Sequence, residues 1–301
     1  MEMAEDIGKI LRNGLGTFAG NLSIIIPFIL NSFITGISAI IFFIVGIIFI
    51  FGSSLSSLEN PSSPEQLAII FLQLISQHIL GIVVLVILFA LVFTFFNSFF
   101  IGGAIGMARQ ATETGKTGLS TMVESGKKNL VNLFLTQILI GLFYLAGIAF
   151  LVPGAMRADI SQLLTQETAG ENLLLVFGLL LIRIYDIILS LVFAVARYAL
   201  VIDNLGPVDS IMASFRFFKE HKIDVFIVWL ISFVALEISL QIWLLNPALG
   251  LFVLGFVFGF ILEPLYTIWW VRLYMVRTGK KVYFNDLLAH PNDLEKLGSN
   301  Q

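Results

Sequence analysis

Three times along this chain a short amphipathic stretch with a basic end leads into two long apolar runs. The amphipathic stretches begin near Met3, Gly118 and Gly206. A bilayer core of roughly 30 Å is crossed by about 20 apolar residues in a helix. Six runs reach that length, at 22–51, 79–107, 130–152, 173–201, 225–245 and 249–275. The second, fourth and sixth exceed it, which implies tilt or protrusion past the headgroups. Asn246-Pro247 separates the last two, because a proline cannot continue the preceding helix.

Composition agrees. Of the 301 residues 58% are hydrophobic and 12% charged, with 29 phenylalanines, and mean hydropathy is +0.96. A water-soluble domain carries about 25% charged residues. The net charge of −3 and the absence of any basic run exclude nucleic acid as an expected partner. There is no cysteine, so disulfides, thiolate metal sites and cysteine nucleophiles are excluded. Glu2, Glu5 and Asp6 stand against Lys9 and Arg12 near the start, and the apolar run that follows is far longer than a signal core of about 7–15 residues. A cleaved signal peptide is therefore not expected.

Basic residues set the expected orientation. Lys9, Arg12, Arg109, Lys116, Lys127, Lys128, Arg216, Lys219, Lys222, Arg277, Lys280, Lys281 and Lys296 fall on one side of the six-span scheme. Arg197 and Arg272 lie at span ends on that side, Arg157 lies in a loop opposite, and Arg183 lies within a span. The positive-inside rule then places both termini in the cytoplasm of a multi-pass cell-membrane protein. The polar loops at 53–65 and 157–171 fall outside.

The expected fold class is an all-α integral membrane protein. Six transmembrane helices form three parallel repeats, each an amphipathic interfacial helix plus a helical hairpin. An even number of spans per unit keeps every unit in the same orientation. The reading is one transmembrane domain over 1–281, with repeats of about 1–112, 113–203 and 204–281, and a short cytoplasmic tail at 282–301. In the third amphipathic stretch Val208, Ile211, Met212, Phe215 and Phe218 share one face. Such helices lie in the interface with basic residues toward anionic headgroups. Arg109, Lys127, Lys128, Arg197, Arg216, Lys219, Lys222 and Arg272 are the expected headgroup contacts. Arg109, Arg197 and Arg272 each precede the next amphipathic stretch by nine residues, at Gly118, Gly206 and Lys281.

One stretch carries a resemblance. Arg197 at a span end, Asp203, Gly206, then a helix with Ser214 before the basic cluster 216–222, resembles a pattern in a loose superfamily of archaeal and bacterial polytopic proteins of unknown function. That superfamily includes the membrane domain attached to some glycerophosphodiester phosphodiesterases. The resemblance implies a related membrane architecture. It does not imply phosphodiesterase activity, since there is no spare soluble stretch for that catalytic domain.

Ionisable residues at bilayer depth are functional candidates by default. Arg183 and Asp186, three apart in span four, share a face and can pair. Glu237 lies in span five, and Glu263, followed by Pro264, in span six. One arginine cannot neutralise three carboxylates, so at least one must be protonated, hydrated or paired with a bound cation. Asn97, Ser98, Gln137, Tyr144 and Gln241 are further candidates to line the interior, and Gly102–Gly106 and Gly255–Gly259 are candidate close helix contacts.

No metal-protease, phosphate-loop, nucleophile-elbow or dinucleotide motif is present, and His78, His221 and His290 are dispersed. No enzyme activity, cofactor or metal is expected. The expected partners are membrane lipids and a membrane-protein partner or second copy. Two functions fit: a non-enzymatic scaffold or accessory in membrane or lipid homeostasis, or a transporter or channel for a small polar solute, proton or cation.

Overall fold

The computed structural model describes residues 5–52, 75–156 and 173–283. The loops at 53–65 and 157–171 and the tail from 284 onward lie outside the described residues. Among the described residues all regular structure is helical: α1 (Ile7–Ala19), α2 (Ile26–Phe51), α3 (Ile79–Thr114), α4 (Leu119–Ala146), α5 (Leu173–Val192), α6 (Ala196–Asp203), α7 (Pro207–Glu220), α8 (Lys222–Leu245), α9 (Pro247–Leu251) and α10 (Glu263–Arg277). Six helical stretches are long and apolar enough to cross a membrane: Leu22–Phe49, Ile79–Thr114, Leu119–Ala155, Leu173–Asp203, Lys222–Leu245 and Pro247–Arg277.

The buried core sits at one end of the bundle, here called the collar end. It is built from the C-terminal part of α3 (101–111), the middle of α6 (198–202) and most of α10 (265–275). The other half of each span leaves its Phe, Ile, Leu and Val side chains exposed, as lipid-facing helices must. Each core segment is covered by an amphipathic helix. The start of α4 packs on α3, α7 on α6, and α1 closes the set by packing on α10.

The covering helices are seated by small residues. On α3, a Cβ at Gly102 would lie 2.8 Å from Leu133 Cδ1, and one at Gly106 would lie 2.3 Å from Ser125 Cβ. Across the crossing, a Cβ at Gly126 would lie 2.7 Å from the Phe99 carbonyl oxygen. This is the backbone approach that small residues permit in membrane helices. Ser125 then donates to the Gly102 carbonyl at 2.8 Å. On α1, Asp6 caps the helix by accepting from the Lys9 amide at 2.9 Å. A Cβ at Gly14 would lie 2.4 Å from Cδ1 of the Trp269 indole, which donates to the Leu11 carbonyl at 3.0 Å. Asn21 ties the α1–α2 elbow to the turn after α3. It donates to Gly115 O at 2.9 Å and accepts from the Thr117 amide at 3.0 Å.

Three expectations are corrected. The second amphipathic stretch is no separate interfacial helix: it forms the opening turns of one continuous helix, α4, because nothing between Leu119 and Ala146 breaks the helical hydrogen bonding. Span four is not continuous, since the helix breaks over 193–195, between α5 and α6. Ser214 of α7 repairs the break, donating to Val192 O at 2.7 Å and accepting from the Val195 amide at 3.3 Å. The second glycine pair makes no helix contact: nothing lies within 4 Å of a Cβ at Gly255, and Gly259 would meet only the Leu254 carbonyl of its own helix. That pair lies in a π-helical stretch, Phe252–Leu262, running directly into Glu263-Pro264. Wide helical turns absorb the proline, which removes a donor and crowds the carbonyl four residues before it.

Candidate functional site, an intramembrane cavity

Arg183 and Asp186 project from α5, Glu237 from α8 and Glu263 from the first turn of α10, and all four line one open cavity of about 360 Å³. The break in span four adds a residue that the sequence reading assigned elsewhere. Arg197, expected at headgroups, sits in the first turn of α6 and lines the same cavity. Its guanidinium lies 5.2 Å from the Tyr198 ring centroid and donates to the Tyr198 hydroxyl at 3.3 Å. Arg197 stands two residues beyond the helix break. The charge count therefore becomes two guanidiniums against three carboxylates.

The pairing also differs from expectation. Arg183 forms its ion pair with Glu237 across the helix gap, not with Asp186 on its own helix. The same guanidinium lies 5.5 Å from the Phe233 ring centroid. The Asp186 and Glu263 carboxylates make no hydrogen bond or ion pair among the described residues; Glu263 lies in the field of Arg197, and Asp186 in that of Tyr144. Tyr144 lines the cavity as expected, whereas Asn97, Ser98, Gln137 and Gln241 do not. Ser98 instead donates to the Thr94 carbonyl of its own helix at 2.6 Å.

Aromatic rings form much of the wall, from Tyr198, Trp229, Phe233, Phe258, Tyr266 and Trp270. Trp229 stacks on Phe233 with centroids 4.7 Å apart and donates its indole N–H to Ser190 at 2.9 Å. These rings are not separable from core aromatics by sequence, since the chain is rich in both.

At the collar end the remaining expected headgroup residues divide. Arg272 is a correction: its side chain is fully buried and forms a two-point ion pair with Glu5, Nη2 to Oε1 at 2.6 Å and Nε to Oε2 at 2.9 Å. The closure of α1 over α10 encloses it, so it meets no headgroup. Asn13 donates to Glu5 at 2.8 Å, and Arg277 donates to the Glu5 carbonyl at 2.8 Å while pairing with Asp224 at 2.6 Å. Asp203 accepts from the Tyr274 hydroxyl and pairs with Lys280, both at 2.5 Å. Arg109 bonds Glu113 at 2.9 Å and the Ile202 carbonyl at 3.1 Å. With Lys128 it lines a second, polar cavity of about 230 Å³. Lys127, Lys128, Arg216, Lys219 and Lys222 are exposed. On α7 the buried face carries Ser210, Ser214 and Phe217, and the expected apolar face leaves Val208, Met212 and Phe215 exposed. No group of three His, Asp or Glu suited to a metal ion occurs among the described residues.

Six helical stretches are long and apolar enough to cross a membrane, as in a polytopic membrane protein, and the last four of them line the cavity. The chain belongs to the family described as a domain of unknown function (DUF7847), which matches residues 29–257. It is also similar to an uncharacterized protein of Archaeoglobus fulgidus, 28% identical over 179 residues that cover 54% of this chain and 58% of that relative. The chain thus matches a little over half of the relative's length. No solved structure matches.

Proposed function

We propose that this is a non-enzymatic multi-pass protein of the cell membrane, three parallel repeats with both termini in the cytoplasm, whose cavity binds and passes a small polar solute or cation. One observation carries the reading: five ionisable side chains from α5, α6, α8 and α10 converge on one cavity, with one carboxylate in excess. Structural ion pairs in a membrane interior balance, because an uncompensated charge is costly there. An excess is retained where a mobile cation, proton or ligand supplies the missing charge. The broken span four and the π segment of span six both flank this cavity, and irregular helices at that depth are tolerated where they line a cavity.

The repeat proposal rests on the threefold covering of even-numbered spans by α1, α4 and α7, and on Ser125 and Ser214 each bonding a backbone carbonyl of the span its helix covers. The resemblance of the 197–222 pattern to phosphodiesterase-linked membrane domains bears on this architecture alone.

Purified protein in liposomes tests the function. Uptake of protons, monovalent cations or a panel of small polar solutes is expected to fall to background with Glu263→Gln and Glu237→Gln. Wild-type liposomes no leakier than empty ones would overturn a passage role. The cysteine-free chain makes orientation testable as well: Lys127→Cys is expected to resist impermeant thiol reagents added outside intact cells. The scaffold reading draws on α7, whose exposed Val208, Met212 and Phe215 flank Arg216 and Lys219. Native mass spectrometry showing a retained lipid or partner that is lost with Met212→Glu would favour it.

A further inference from the structure

We propose that the cavity between spans four, five and six is a binding site for an alkylammonium group, the cationic head of an amine or of a lipid; this rests on the cavity being a ligand site.

Three observations converge on that class. The charge count leaves the cavity one positive charge short. Both arginines are already engaged, Arg183 by Glu237 and Phe233 and Arg197 by the Tyr198 hydroxyl and ring. Arg197 lies near Glu263, so of the two carboxylates outside the Arg183 pair, Asp186 and Glu263, one lacks a cation, and the missing partner is a cation.

The second observation concerns the wall. Both resident guanidiniums lie over aromatic faces, at 5.5 and 5.2 Å. Ring faces therefore already hold cations in this space. The Trp229 indole N–H is spent on Ser190, so it offers a ligand no donor, and its ring stacks on Phe226 and Phe233; the rings of Tyr266 and Trp270 add further aromatic surface to the same wall. Aromatic faces beside carboxylates recognise organic ammonium ions, whose diffuse charge sheds water easily.

The third observation argues against a divalent metal ion. Metal ions need several oxygen ligands drawn around one point. No group of three such residues suited to a metal occurs among the described residues. A cavity of about 360 Å³ instead matches a group with methyl or methylene bulk.

The test is titration of the purified protein in detergent, following tryptophan fluorescence (Trp229 and Trp270 line the cavity) and thermal unfolding. The probes are tetramethylammonium, choline, the neutral choline isostere 3,3-dimethylbutanol, acetate, glycerol and sodium at matched ionic strength. Saturable binding of the ammonium probes is expected, with the isostere at least about tenfold weaker. Glu263→Gln and Asp186→Asn are expected to weaken ammonium binding about tenfold each, Trp229→Leu comparably, and Trp229→Phe little. Wild-type-like unfolding of Trp229→Phe and Glu263→Gln controls for misfolding.

Isostere binding equal to choline, or sodium, acetate or glycerol binding in place of ammonium with the same sensitivity to Glu263→Gln, overturns the ammonium assignment and leaves the ligand-site reading standing. If no probe saturates, both fall. Competition against bound choline by phosphatidylethanolamine but not phosphatidylglycerol in mixed micelles would assign the group to a lipid headgroup. Competition by neither lipid would assign it to a free amine.

Discussion

The two ends of the helical bundle handle charge in opposite ways. At the collar end the buried charges among the described residues are matched: Arg272 with Glu5, Arg277 with Asp224, Lys280 with Asp203, and backbone carbonyls take further donors. In the cavity, three carboxylates meet two guanidiniums, and the single ion pair is partly open to the surroundings. A balanced, enclosed network fixes geometry, because removing either partner strands a charge. An unbalanced, accessible one leaves a demand for a further charge. The first arrangement holds the fold together, and the second is where a ligand acts.

If that contrast is right, the largest stability loss comes from the collar. Arg272→Met strands the buried Glu5 carboxylate and removes the ion pair that ties the start of α1 to α10. Breaking one side of a buried pair costs about 3–5 kcal/mol. A large drop in the unfolding temperature in detergent is expected, with proteolysis near residues 5–20. Adding Glu5→Gln should restore part of the loss, since no orphan charge remains. A single mutant as stable as wild type would erase the distinction between the two ends.

Next come the glycines that seat α4 on α3. Gly106→Val pushes a side chain into Ser125, where even a Cβ would lie at 2.3 Å. Overpacking of this kind costs about 1–3 kcal/mol. Gly255→Val meets nothing within 4 Å and is expected to unfold like wild type. Equal effects at both positions would show that the two glycine pairs do the same job. Close behind is Ser214→Ala, which strands the Val195 amide and the Val192 carbonyl at the break in span four and costs about 1–3 kcal/mol. The matched readout is ligand or solute binding, because Arg197 enters the cavity just beyond this break.

Much of this was legible in the sequence, and the limits have physical causes. Apolar length alone located six spans, since lipid imposes one strong constraint. The four intramembrane charges were legible because their cost makes them rare, and they share a cavity in the fold. Arg197 and Arg272 were misread because both sit at span ends, where a sequence cannot say whether a headgroup, a partner or a cavity receives the side chain. Glu5 and Arg272 are separated by 267 residues, and no local pattern announces their pairing. The break at 193–195 contains no proline or glycine. It exists because a serine some twenty residues later in the chain satisfies the freed backbone. The aromatic wall was hidden for the opposite reason: in a chain this rich in Phe, Tyr and Trp, wall and core have the same composition.

The smallest expected stability effect is at the cavity, and it sharpens the contrast most. Glu237→Gln removes one half of the Arg183 pair, but both side chains are open to their surroundings, 55% and 32% exposed. Exposed pairs contribute about 0–1 kcal/mol. The unfolding temperature is therefore expected to stay near wild type while solute binding or flux collapses. Asp186→Asn should behave alike, since Asp186 has no ion pair to lose. The collar predicts the reverse: Asp224→Asn, which breaks the Arg277 pair, should lower stability and leave the cavity's affinity unchanged in the folded fraction. If Glu237→Gln destabilises as much as Arg272→Met, the cavity charges are structural too, and the two ends do not differ in kind. If stability and binding separate as described, the excess carboxylate is kept for a ligand, because the fold does not need it.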